Sequence, residues 1–150
     1  LSMTFLPFHR QLFLLSFIFI TVTFLFESQK FTFSAGSLKI SSETHPLFII
    51  CAGLAFLQGI FIWFLRVKKN ISFPEQIGYF HFFASFISLF GLDFLAKRIP
   101  STLFLTAEEA KWLPFFNGGI WFVCFLYISS LILFLSTSFI LLTKKEEQSS

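Results

Sequence analysis

Apolar residues fall into four long, nearly charge-free stretches, 7–26, 46–67, 74–99 and 114–143, divided by short polar segments. Each stretch opens on a proline (Pro7, Pro46, Pro74, Pro114), and Pro100 closes the third. Proline has a fixed φ and no N–H, so it suits the first turn of a helix and breaks an interior. A helix of roughly 20 apolar residues crosses about 30 Å of hydrocarbon. The pattern predicts an all-α integral membrane protein: one four-transmembrane-helix bundle, a single domain over 1–150. The first stretch has no small-residue cleavage site and is expected to stay as a helix.

The polar segments carry their own pattern. Phe31-Thr32-Phe33-Ser34 alternates apolar and polar, Ala35-Gly36 interrupts, and Leu38-Lys39-Ile40-Ser41 alternates again. Period-two alternation around a glycine turn predicts a small β-hairpin in the 1–2 loop, with an irregular loop as the alternative. A lone hairpin is marginally stable, so this one is expected to rest on the membrane surface, the 3–4 loop or a partner. In the 3–4 loop, Thr106 and Glu109 have capping-box spacing. They predict a short interfacial helix over 107–113 with Trp112 at headgroup depth, before Pro114 starts helix four. That fourth helix is longer than the hydrocarbon requires and is expected to tilt or protrude.

Composition agrees. Only 13% of residues are charged, against about 25% for a soluble domain. The 27 phenylalanines are read chiefly as lipid-facing. The net charge of +3 is spread over the helix ends, so nucleic acid is not expected as a partner; the bilayer and other membrane subunits are. Arg10, Arg66, Lys68, Lys69, Lys144 and Lys145 lie on one side, and Lys30, Lys39, Lys97, Arg98 and Lys111 on the other. The tight cluster at 66–69 places both termini in the cytoplasm. The expected location is a bacterial inner membrane, with an organellar membrane as the alternative. Cys51 and Cys124 sit inside apolar stretches and read as small hydrophobes rather than metal ligands.

Polar residues within the stretches are the candidates for function, because they are costly there. Helices two and three join through a short loop near Asn70, so residues equidistant from it lie at equal depth. This sets Gln58 opposite Ser85 and near His81, in a polar layer of Gln58, His81, Ser85 and Ser88. It sets His45 beside Asp93 and Lys97 in a cluster at the outer rim. Cys51, Ala55 and Gly59 form a small-residue stripe that would let helix two approach a neighbour. His45 and His81 fall at opposite depths and cannot share a haem. No cofactor is predicted; haem or quinone enters only as the ligand of an alternative reading. No three ligands converge on a metal, and no phosphate loop, nucleophile elbow or zinc-protease motif occurs.

The order Thr44-His45, Trp63-Phe64, His81 and Arg98-Ile99-Pro100 resembles the last helices of haem–copper oxidase subunit I, from residue 44 onward. Glu43 and a single His45 stand where that family has paired haem histidines, and nothing upstream matches its copper ligands. No haem or copper site carries over. The expectation is an accessory, non-catalytic subunit of a larger membrane complex. The alternative is a membrane protein or enzyme that binds quinone, haem or lipid through the layer around His81. An oligomeric transporter or channel is the weakest of the three, for lack of a charged helix face.

Overall fold

The computed structural model describes residues 7–98 and 107–149. The order is α1 (Phe8–Leu25), β1 (Lys30–Ala35), β2 (Leu38–Glu43), α2 (Thr44–Lys68), α3 (Glu75–Arg98) and α4 (Ala107–Ser149). All four helices are long and apolar enough to cross a membrane. Pro7 caps α1 and Pro74 immediately precedes α3, as the punctuation predicts, while Pro46 sits inside the first turn of α2. Asn70, at a φ of 53°, turns the chain between α2 and α3; asparagine tolerates the left-handed region better than most residues.

The break at Pro114 is not there. α4 runs unbroken through it as one helix of 43 residues, rather than a short interfacial helix and a restart. A proline removes one i→i−4 bond and crowds the carbonyl four residues back, and the bonds of the flanking turns carry this helix through. Thr106, the expected cap, lies outside the described residues. At about 1.5 Å per residue α4 is roughly 65 Å long, so the excess length expected of it is larger than the proline suggested.

The hairpin forms. β1 and β2 pair antiparallel, from Lys30 opposite Glu43 to Ala35 opposite Leu38, leaving Gly36-Ser37 as the loop. Gly36 has a φ of 65° and Ser37 does not share it. A positive φ at the first central residue alone is the signature of a type II′ turn, whose twist suits a hairpin. Thr44 N–H donates to the Gln29 carbonyl at 3.0 Å and the Thr44 hydroxyl accepts from Gln29 N–H at 2.9 Å, closing the base of the ribbon.

Packing departs from the expected α2–α3 pair. α2 packs mainly on α1, and α3 mainly on α4; α2 and α3 touch only lightly. The small residues of α2 explain the choice. A Cβ on Gly59 would fall 2.7 Å from Phe13 of α1, and Ser16 of α1 donates to the Ala52 carbonyl at 2.8 Å. Gly59 and Ala52 thus admit α1, with Ala55 buried alongside. Cys51, expected in the same stripe, turns away toward α3 and α4. On the other side Gly119 of α4 accommodates Leu95 and Gly91 of α3 accommodates Val123.

Two apolar clusters fill the interior. One, beneath the hairpin, gathers Phe19, Phe31, Phe48, Leu89 and Ile120. The other, at the opposite end, gathers Leu12, Ile62, Leu65, Phe73 and Phe134. Rings of Phe8, Phe73 and Phe134 stack there at 4.8 Å and 5.4 Å between centroids.

Candidate functional site

The polar layer assembles in part. His81, 1% exposed, meets Gln58 Oε1 through Nε2 at 3.0 Å, which makes Nε2 the donor and leaves the proton off Nδ1 in the neutral ring. This is a polar bond across the light α2–α3 contact. Nδ1 is buried and without a hydrogen-bond partner among the described residues. The ring is held at 5.3 Å by Phe134 and edge-on at 6.2 Å by Phe8. Aromatic rings therefore pack beside His81 from α1 and α4.

Ser85 and Ser88 belong to a different neighbourhood. With Cys51, Cys124 and Tyr127 they line a cavity of about 110 Å³ among the four helices, Phe19 of α1 included. Ser88 Oγ donates to the Val123 carbonyl at 3.4 Å. Ser85 is fully buried and its hydroxyl is unpartnered among the described residues. Tyr127 presents its hydroxyl toward the Cys51 thiol. The sequence reading treats Gln58, His81, Ser85 and Ser88 as one layer; the structure divides them, because His81 faces α2 and α4 at one depth while Ser85 and Ser88 open into the cavity beyond.

The outer-rim cluster also regroups. Asp93, 5% exposed, pairs with Lys97 at 2.8 Å as i,i+4 spacing allows. His45 makes no bond to either. Its Nε2 lies 2.6 Å from the Phe26 carbonyl, and Lys97 Nζ sits 4.5 Å above the Phe26 ring. Phe26, the last residue before the 1–2 loop, is thus what joins His45 to the Asp93–Lys97 pair, and sequence reasoning passed over it because a phenylalanine offers no polar side chain.

The most connected polar contact also escaped notice. The Asn117 side chain of α4 bonds both backbone groups of Ser34: Oδ1 accepts from Ser34 N–H at 2.7 Å and Nδ2 donates to the Ser34 carbonyl at 3.2 Å. Trp121 Nε1 donates to the same carbonyl at 2.9 Å, and its ring meets Phe33 edge-on at 5.3 Å. Asn117 therefore acts as one rung of a third strand along the free edge of β1. An amide within an apolar helix is a signal in itself, and this one went unread.

Among the described residues no three of His, Cys, Asp and Glu gather as metal ligands. Compared with family models, curated proteins and solved structures, the chain matches none.

Proposed function

We propose that this chain is a four-span integral membrane protein acting as an accessory, non-catalytic subunit of a larger membrane complex. Membrane insertion is supported by the four apolar helices and by the aromatic residues near their ends: Trp63 and Tyr79 toward one end of the bundle, Trp112 and Trp121 toward the other, where amphipathic rings favour headgroup depth. With four spans the termini share a side, which the basic cluster at 66–69 assigns to the cytoplasm, in a bacterial inner membrane or its organellar counterpart.

The accessory reading rests on α4. Within its 18-residue apolar window only 17% of residues are buried within the chain, against 33% to 50% for the other three helices. The longest helix is the least covered by its own bundle, and the hairpin is fastened to it. Its free flank suits a neighbouring subunit. Extraction in mild detergent followed by mass analysis of the intact assembly tests this; a single-chain species under every detergent condition counts against it.

The small-molecule reading draws on one observation, the buried Ser85 hydroxyl facing the 110 Å³ cavity. That space is smaller than an engineered cavity of about 150 Å³ that admits benzene, so it suits a methyl end or a chain segment rather than a quinone ring or haem. An absorption spectrum of the purified protein discriminates: a Soret or quinone band would favour this reading over the accessory one.

A further inference from the structure

A cavity of about 300 Å³ lies at the end of the bundle where α1 begins, α2 ends and α3 begins. Its polar lining includes His9, Arg66, Ser72 and Glu75. Arg66 forms neither hydrogen bond nor ion pair among the described residues. It lies near enough to His9 for the two to repel when both carry charge. His9 Nδ1 is shielded from solvent and unpartnered among the described residues. Arg10, Lys68 and Lys69 add positive charge at the same end, and Glu75 stands at the rim as the one acid of the lining. A guanidinium and an imidazole therefore line one polar cavity in which Glu75 is the one acid among the lining residues described. Arginine is suited to phosphate because its planar fork donates two parallel bonds.

We infer that this cavity binds the phosphate of a phospholipid headgroup, with Arg66 as the principal donor and His9 as the second. The inference rests on the membrane reading above, which puts the ends of these helices at headgroup depth. The lipid tails would lie along the outer faces of α1 and α2, where Phe17, Phe56 and Phe64 are exposed.

The test uses full-length protein purified in a neutral maltoside detergent. Thermal unfolding and intact mass are recorded on adding dioleoyl phosphatidylglycerol, inorganic phosphate or dioleoylglycerol. Phosphatidylglycerol is expected to stay bound and to raise the melting temperature, and dioleoylglycerol to do neither. R66Q is expected to weaken the phospholipid by about tenfold or more, the scale of a charge-assisted bond, and R66K by less, since lysine keeps the charge without the fork. K68Q, which removes the same charge outside the cavity, should bind within about twofold of wild type, because exposed charges are screened.

Equal losses in R66Q and K68Q would reduce the effect to general surface charge and overturn the site. Equal stabilisation by dioleoylglycerol would assign it to acyl chains. Full protection by inorganic phosphate alone would make the ligand a soluble phosphate and overturn the lipid assignment, as would binding of none of the three. Failure of the membrane reading looks different: the chain would remain monodisperse in water without detergent. If R66Q fails to fold, R66K and H9Q carry the same comparison.

Discussion

Replacing Asn117 by leucine should loosen the hairpin without unfolding the helices. In the register found, the Ser34 N–H and carbonyl point away from β2 and toward α4, where Asn117 meets both. The variant loses both bonds. The carbonyl keeps Trp121 at 2.9 Å, so only the N–H is left without a partner. With a net worth of about 0.5–1.5 kcal/mol per bond, and water able to reach this outer edge, docking should weaken by about 1–2 kcal/mol. That corresponds to roughly 5- to 30-fold faster amide exchange for groups released by undocking. Hydrogen exchange measured over residues 30–43 in detergent reads this directly, with Ser34 as the most sensitive amide and the mid-helix amides of α2 as the unchanged reference. If Ser34 exchanges at the wild-type rate, Asn117 does not hold the hairpin, and the view of its amide as a surrogate strand is wrong.

Other substitutions probe the packing. Gly59→Leu should cost about 1–3 kcal/mol through overpacking against Phe13, while Gly53→Ala, which meets nothing within 4 Å, should be neutral or gain up to about 1 kcal/mol in helix propensity; paired denaturation curves in mixed micelles compare them. A double-mutant cycle of Gln58→Leu and His81→Leu should give a coupling of about 0.6–2 kcal/mol, the range for bonds between membrane helices, and a coupling of zero would remove the His81–Gln58 bond as a link between α2 and α3. Lys97→Met should destabilise more than Asp93→Asn, because the first strands a buried carboxylate and the second removes its charge; equal melting temperatures would contradict this.

The helices were legible because twenty-residue apolar stretches with prolines at their starts admit few other readings, and the hairpin because alternation around Gly36 is a local signal. Helix pairing was not. Loop length places α2 beside α3 in the chain, but side-chain volume decides contact, and Gly59 presents its open face to Phe13 of α1. Equal-depth reasoning set Gln58 opposite Ser85 and near His81, and the bond forms to His81, one turn away, because depth survives roughly even where two helices barely touch. It did not separate His81 from Ser85 and Ser88, since a spacing along one helix shows a shared face without showing that two different neighbours divide it. Pro114 misled for a related reason: proline weakens a helix locally, and the sequence does not display the turns on either side that carry α4 through.

The polar side chains within this bundle act mostly as fasteners between elements. Ser16 ties α1 to α2, Gln58 and His81 tie α2 to α3, Ser88 ties α3 to α4, and Asn117 ties α4 to β1. His45 and Lys97 meet on Phe26, one at its carbonyl and one at its ring, and so fix where α1 releases the chain into the hairpin. The hairpin is then held from two directions, by α4 at Ser34 and by Thr44 of α2 at Gln29. The edge left open belongs to β2, where Lys39 and Glu43 place charge along the strand. Charged side chains on an edge discourage addition of a further strand. A neighbour that reads this end of the molecule is therefore expected to meet the polar face of Lys30, Thr32, Lys39 and Ser41 through side chains, while the long flank of α4 offers the apolar contact. The two surfaces meet at Asn117 and Trp121, so under the accessory reading proposed above a neighbour on the start of α4 would also bear on the position of the hairpin.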